Sequence, residues 1–114
     1  MSIEDVQKEI VLWQSDNFPG STLVGICNHM IKEAKEAQSD SRWVEHYQKY
    51  EDCRLIATES EFAEELADVM FTVFHAAHLA GVDLEHELRS KLAKNKLRTW
   101  PKEPGEDGCY HHEK

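Results

Sequence analysis

The sequence predicts an all-α fold, a bundle of four to five helices. No proline occurs between Pro19 and Pro101, and no Val/Ile-rich alternating run typical of strands is present. Apolar residues instead recur every three or four positions, and no internal repeat is visible. At 114 residues one domain is expected, covering 1–114 with an irregular tail over 99–114.

The first helix has a clear start signal. Ser2 can cap it, and Asp5 occupies the acidic third position of a capping box. The helix is expected to end near Gln14, because residues 15–20 (SDNFPG) have loop chemistry. Its apolar stripe consists of Val6, Ile10 and Trp13.

A second helix is expected from Ser21 or Thr22 through Ala37, closed by the polar residues 38–41. Residues 42–55 mix aromatic and charged side chains at roughly helical spacing. They are interpreted as a short helix or an ordered insertion, longer than an ordinary connector. The role of this 37–64 spacer stays open between lid, oligomer contact and packing.

Two further helices follow. The third is expected to begin at 58–60 and to end near Ala80, where Gly81 can adopt the left-handed conformation that stops a helix. Asp83 then caps a fourth helix, from Leu84 to about Leu97.

Charge and cysteine usage exclude several classes of protein. A formal net charge of −9 disfavours nucleic-acid binding, which depends on lysine and arginine neutralising phosphates. The three cysteines, Cys27, Cys53 and Cys109, form no C-x-x-C pair, so we expect a reducing, cytoplasmic setting. The N-terminus lacks signal-peptide character, and the uncharged stretch 69–82 is too short to cross a bilayer, so no membrane association is expected.

Two acidic pairs carry the main functional signal. Glu33 and Glu36 are three residues apart, as are Glu65 and Asp68, and this spacing puts both carboxylates of a pair on one helix face. If the two helices pack antiparallel, the pairs can meet as an all-oxygen cluster that suits Mg²⁺ or Mn²⁺. The alternative for each pair alone is a solvated helix face.

The apolar patterns favour a cluster of carboxylates between the helices over a solvated helix face. Glu33 interrupts the apolar stripe of its helix, so its pair is expected to face the interior or the rim of the bundle. The third helix contains no Asp, Glu, Lys or Arg from Val69 to Val82, so it must be enclosed. A domain of this size cannot easily enclose it alone, which predicts a homo-oligomer, a two-fold dimer or a dimer of dimers.

The fourth helix changes from apolar to cationic along one face. Leu84 and Leu88 set an inward direction, and Lys91, Asn95 and Arg98 continue it. These side chains suit a nucleotide's phosphates. The alternative is cationic decoration of a helix C-terminus.

Taken together, these motifs resemble the MazG-like all-α nucleoside triphosphate pyrophosphatase superfamily, whose mark is E-x-x-E followed by E-x-x-D. The details, over nearly the whole chain, resemble its phage and bacterial dATP/dGTP diphosphohydrolase branch. The segments that carry the resemblance are Trp13-Gln14, His29-Met-Ile-Lys-Glu33, Glu64-Glu65-Leu-Ala-Asp68-Val69 and the run from Lys91 to Trp100-Pro101.

The resemblance implies hydrolysis of a purine deoxynucleoside triphosphate, dGTP first and dATP second, to the monophosphate and pyrophosphate. It implies Mg²⁺, or Mn²⁺, held by Glu33, Glu36, Glu65 and Asp68. The sequence leaves open whether one of these acids, with Glu36 as the candidate, holds the attacking water instead of a metal. The catalytic set is completed by Glu65, with Lys91 and Arg98 on the β- and γ-phosphates. In a phage the enzyme is expected in the host cytoplasm.

For the base, Trp13, Phe18 and Asn28 are candidates, because an aromatic face stacks on a purine and an amide pairs with its edge. The alternatives are a core tryptophan and a surface asparagine. His75 and His78 are interpreted as packing residues, since a di-iron bundle needs Glu-x-x-His pairs. The competing function is a non-catalytic helical dimerisation module with a solvated acidic face.

Overall fold

The structure is a computed structural model that describes residues 2–113. Met1 and Lys114, the ends of the predicted domain, lie outside the described residues. The four helices are α1 (Ile3–Asn17), α2 (Leu23–Lys49), α3 (Leu55–Ala80) and α4 (Leu84–Leu97). Residues 2–113 contain no β-strand, so the all-α prediction is confirmed. None of the described helices combines the length and apolar character that crossing a bilayer requires.

The predicted helix caps are confirmed. The Ser2 hydroxyl accepts a hydrogen bond from the backbone of Asp5, and the Asp5 carboxylate accepts one from the Ser2 backbone, each at 3.2 Å. Thr22 and Asp83 accept comparable bonds at the starts of α2 and α4. Gly81 ends α3 with φ +68°, where a side chain would be strained.

The predicted end of α2 is wrong. The helix continues past Ala37 and the polar residues 38–41 to Lys49, so the first part of the spacer extends α2 and its last part, from Leu55, belongs to α3. The segment 38–41 contains no glycine or proline, and polar residues without either do not stop a helix that is stabilised by packing. Helix α1 also continues past Gln14 to Asn17, and α3 begins at Leu55, ahead of the predicted 58–60.

A tight turn joins α2 to α3. The Asp52 carboxylate accepts hydrogen bonds from the backbone and the guanidinium of Arg54, the shortest at 2.7 Å. The guanidinium also lies 4.7 Å from the centre of the Tyr47 ring, a cation–π contact. These bonds hold the pKa of Asp52 well below its usual range. The turn makes α2 and α3 a helical hairpin whose helices pack along each other.

Helix α1 packs against α3. The Gln14 side chain donates a hydrogen bond of 2.9 Å to the carbonyl of Phe71 and is the buried residue of α1. Among residues 2–113, only three apolar side chains are buried: Ala37, Phe74 and Ala77. Several apolar residues of α3 stay exposed, including Leu66 and Met70, so the enclosure predicted for α3 is not completed within one chain.

The chain divides into two compact units, residues 1–82 and 83–114. In the second unit the Trp100 indole donates to the carbonyl of Asn95, and the backbone of Glu113 donates to Thr99. Helix α4 has no buried residue, and Leu88 is 61% exposed. The inward direction predicted for Leu88 is therefore not seen within the chain, because an isolated α4 and its tail offer too little apolar surface to cover it.

Candidate active site

A cleft of about 430 Å³ opens where α1, α2 and α3 meet. Its size is within the usual range for small-molecule sites. Its lining combines aromatic side chains with acidic and imidazole groups. The lining residues are Trp13, Gln14, Phe18, Ser21, Ile26, His29, Glu33, Asp68, Phe71, Thr72 and His75.

The cleft takes one carboxylate from each acidic motif. Glu33 comes from α2 and Asp68 from α3. Only 13% of the Glu33 side chain is exposed, so the orientation predicted for the Glu33/Glu36 pair, toward the interior or the rim, is seen for Glu33, whereas it is wrong for the exposed Glu36. Oε1 of Glu33 lies 2.8 Å from Nε2 of His29, one helical turn earlier. Oε2 of Glu33 is buried and has no hydrogen-bond partner.

The other two motif acids, Glu36 and Glu65, do not line the cleft. Glu36 is exposed and Glu65 is half-buried. The pKa of Glu65 is raised to about 7, first by burial and then by the hydrogen bond and negative charge of Asp40, with Glu36 and Glu61 adding repulsion. The structure therefore brings Glu36 and Glu65 together, although on a different part of the α2–α3 interface from Glu33 and Asp68.

Asp40 was missed in the sequence analysis. It lies seven residues after Glu33 and four after Glu36 on the same helix, so it continues their face by one more turn. The signal was available in the sequence, but the wrong end assigned to α2 put Asp40 in a loop. Once α2 is known to run to Lys49, the spacing of Asp40 from Glu33 and Glu36 identifies it as a further acid on their helix face.

The chemistry of the acids fits a hard divalent cation. Glu65, like Glu33, has a buried Oε2 without a hydrogen-bond partner, and a buried carboxylate oxygen needs a donor or a cation. Carboxylates are the ligands that Mg²⁺ and Mn²⁺ prefer. Within residues 2–113, however, no three Asp, Glu, His or Cys side chains form a closed ligand set.

The aromatic part of the cleft lining contains two of the three residues predicted to contact a base. The Trp13 and Phe18 rings meet edge to face with centres 5.2 Å apart, and Trp13 also contacts Phe71. Trp13 is 50% and Phe18 47% exposed, so Trp13 is not an ordinary core residue. Asn28 is exposed and is not part of the cleft lining, since it lies on a different face of α2 from Glu33.

Five polar lining residues had no site role in the sequence analysis: Gln14, Ser21, His29, Thr72 and His75. Gln14, Thr72 and His75 are buried, and Gln14 was taken only as the end of α1. Burial and the nearby His78 lower the pKa of His75. His75 is thus a buried packing residue as predicted, whereas His78 is exposed, because its face of α3 is not covered within the chain.

The cationic residues predicted to bind phosphate lie in the second unit. Lys91 is exposed, whereas Asn95 and Arg98 are half-buried. Nη1 of Arg98 donates a 3.1 Å hydrogen bond to Oδ1 of Asn95. The Asn95 carbonyl accepts the Trp100 indole at 2.7 Å. Asn95 therefore fixes the orientation of Arg98 and of the start of the tail.

The chain is similar to known phage proteins. No protein-family model matches the chain. A dATP/dGTP diphosphohydrolase of Salmonella phage PMBT28 is 32% identical over 111 residues, which is 97% of this chain. The chain spans 31% of the length of that relative.

A solved structure is also similar over the whole chain. It is the MazG-like pyrophosphohydrolase of cyanophage S-2L, bound to dGDP and three catalytic Mn²⁺ ions per active site. The TM-score is 0.68 with 25% identity, covering 100% of this chain and 99% of the other. The ordered acidic motifs and the fold are similar to those of these two phage proteins, and both relatives support the resemblance to the MazG-like all-α superfamily.

Proposed function

We propose that this protein hydrolyses a purine deoxynucleoside triphosphate to the monophosphate and pyrophosphate, with Mg²⁺ or Mn²⁺ as cofactor. The observation that carries the proposal is the cleft, whose lining combines Trp13 and Phe18 with Glu33 and Asp68. Aromatic faces suit a base, and carboxylates suit the cations that accompany a triphosphate. A single small site thus offers chemistry for both ends of a nucleotide.

The substrate preference we propose is dGTP first and dATP second. Both purines match the name of the Salmonella phage relative, and the cyanophage relative was solved with dGDP. The half-exposed Trp13 and Phe18 rings leave aromatic surface free for stacking.

The acids hold the cation and the water. Glu33, Glu65 and Asp68 are the proposed cation ligands, supported by the unpartnered oxygens of Glu33 and Glu65. When bound, a divalent cation stabilises charge on the phosphate oxygens and lowers the pKa of its water. Glu36, exposed beside Glu65, is either a further ligand or the carboxylate that orients the attacking water.

Bond cleavage takes place between the α-phosphorus and the oxygen that bridges to the β-phosphate. The water oxygen attaches to the α-phosphorus, its proton passes to a carboxylate, and pyrophosphate leaves. Lys91 and Arg98 are proposed to neutralise the leaving pyrophosphate, Lys91 as a point charge and Arg98 through its fork of N–H donors. Asn95 supports this role by its bond to Arg98.

A substrate panel tests the proposal. The full chain is incubated with each of the four dNTPs and GTP in Mg²⁺ or Mn²⁺, and pyrophosphate and orthophosphate are measured separately. We expect pyrophosphate without orthophosphate, fastest from dGTP, and none in EDTA. In H₂¹⁸O the label should appear in dGMP, because water attacks the α-phosphorus. Turnover of pyrimidine triphosphates alone would contradict the proposed substrate.

The alternative, a non-catalytic dimerisation module, would leave every dNTP intact. A further control uses Asp68→Asn, which removes a carboxylate from the cleft without changing the size of the side chain. The variant should lose pyrophosphate release and keep a helical circular dichroism spectrum. If wild type and Asp68→Asn release pyrophosphate equally, the activity does not depend on this cleft.

We also propose that the protein is a homo-oligomer, a dimer or a dimer of dimers. The support is the exposed apolar surface of α3, where Leu66 is 48%, Met70 40% and Leu79 38% exposed. Such a surface is characteristic of an interface. Light scattering after size exclusion should give a multiple of 13.2 kDa. Met70→Glu should shift that mass toward the monomer, whereas a monomeric wild type would contradict the proposal.

A further inference from the structure

The hydrogen bond between His29 and Glu33 links a cleft imidazole to a motif carboxylate. Both residues lie on α2 four positions apart, where side chains of one face meet. Nε2 of His29 is 2.8 Å from Oε1 of Glu33. The imidazole is half-exposed, at 52%, whereas the carboxylate is 13% exposed. The solvent-facing imidazole of His29 thus holds one oxygen of the enclosed Glu33 carboxylate.

The bond makes the two carboxylate oxygens of Glu33 different, because only Oε1 has a hydrogen-bond partner. An ionised carboxylate can only accept hydrogen bonds, so Nε2 of His29 carries the proton and donates to Oε1. Oε2 is left buried and without a partner. A divalent cation is smaller than a water molecule and binds oxygen at a shorter distance, about 2.1 Å for Mg²⁺. Oε2 is therefore the oxygen of Glu33 that suits a cation.

We infer that His29 is a positioning residue: it locks the Glu33 carboxylate so that Oε2 is presented to the divalent cation. The inference rests on the proposed function, because it concerns the same site. Hydrogen bonds to ligating carboxylates fix their orientation, and their loss weakens metal binding by roughly 10- to 100-fold. His29 itself contacts Glu33 and not the ion, so it acts through the carboxylate.

Mn²⁺ binding to the full chain, without nucleotide, tests this role. Free Mn²⁺ is measured by electron paramagnetic resonance during a titration of the wild type and of two matched variants. His29→Gln places an amide N–H at the same distance from Cβ as Nε2 and keeps the donor. His29→Phe keeps a ring and loses the donor. His86→Phe, a change at an exposed histidine of α4, is the control.

We expect His29→Phe to weaken Mn²⁺ binding by roughly tenfold or more, with His29→Gln within about threefold of the wild type and His86→Phe unchanged. Activity should follow the same order at limiting Mn²⁺ and converge at saturating Mn²⁺, since the lost orientation weakens binding of the ion. Thermal melts of all variants should be alike, because the exposed His29 ring contributes little to the core.

Three results would overturn the inference. Equal Mn²⁺ binding by His29→Phe and the wild type, with Glu33→Gln impaired, would reject the positioning role and leave the proposed function standing. A ¹⁴N coupling from imidazole in the spectrum of bound Mn²⁺, lost in His29→Gln, would make His29 a direct ligand instead. A wild type that binds no Mn²⁺ and releases no pyrophosphate would reject both the inference and the proposed function.

Discussion

The four motif acids occupy two different environments along the α2–α3 interface. Glu33 and Asp68 line the cleft beside aromatic side chains, and Glu33 is held by His29. Glu36 and Glu65 lie outside the cleft lining, among further acids, and the pKa of Glu65 is raised to about 7. Glu33 in the cleft is held by a hydrogen-bond donor, whereas Glu65 outside the cleft lining faces like charges.

This difference indicates that a motif repeated in sequence need not give equivalent ligands. A carboxylate that a donor already orients is prepared for a cation at neutral pH. A carboxylate crowded by other acids keeps its proton until a cation or a base removes it. We therefore expect the cleft pair, Glu33 and Asp68, to determine where the ion binds. Within the outer pair, Glu36 and Glu65, we expect the protonation of Glu65 to determine at which pH the site is complete.

The largest expected effect comes from neutralising the acids one at a time. Glu33→Gln and Asp68→Asn should each lower pyrophosphate release by roughly 10²-fold or more, the size of effect seen when a group that stabilises transition-state charge is removed. They should also weaken Mn²⁺ binding without nucleotide. Glu36→Gln and Glu65→Gln should lose similar activity with a smaller loss of Mn²⁺ affinity. Identical Mn²⁺ affinities across all four variants would remove the distinction between the pairs.

Next in size is the aromatic part of the cleft lining. Phe18→Ala removes a half-exposed ring from the cleft, and base stacking contributes about 1–3 kcal/mol per aromatic contact. We expect KM for dGTP to rise about tenfold, with Mn²⁺ affinity unchanged. Trp43→Ala, which removes an equally exposed ring outside the cleft, is the control. A matching rise in KM in the control would mean that Phe18 has no specific part in binding the base.

A smaller effect is expected from the cationic residues of α4, which we propose to bind phosphate. Asn95→Leu removes the acceptor that orients Arg98, and one hydrogen bond contributes about 0.5–1.5 kcal/mol. Steady-state kinetics should show a few-fold rise in KM for dGTP, with Mn²⁺ affinity unchanged. An unchanged KM would mean that Arg98 is oriented without Asn95.

The sequence predicted the elements that depend on local chemistry. Ser2, Thr22, Gly81 and Asp83 end or begin helices because capping is a matter of a few neighbouring residues. The true length of α2 was not predictable in this way. Its polar residues 38–41 resemble a stop, and only packing against α3 makes them helical.

The same limit applies to the candidate site. Spacing identified Glu33 and Asp68 as residues that face inward on neighbouring helices, and the cleft contains both. The buried Gln14 depends on Phe71, 57 residues away in the chain, and no local pattern contains that partner. The identification of Asp40 depended on where α2 ends. Because that end was predicted too early, Asp40 was left out of the set of candidate acids.

The smallest expected effect is on the stability of the metal-free protein, and it comes from the raised pKa of Glu65. The pKa of Glu65 is raised from 4.5 in the unfolded chain to about 7 in the folded one. The folded state therefore gains stability from this group below pH 4.5 and loses it as the pH rises through about 7. The lowered pKa of His75 has the opposite sign, since its contribution is lost as the pH falls.

Asp40→Asn isolates the contribution of Glu65, because His75 is common to both proteins and cancels in the difference. The amide at that position removes a negative charge and can donate to the Glu65 carboxylate, so it lowers the pKa of Glu65 toward its ordinary value. Melting temperatures in EDTA should fall more steeply from pH 5 to pH 8 for the wild type than for Asp40→Asn. Parallel curves would mean that Asp40 does not hold the proton on Glu65.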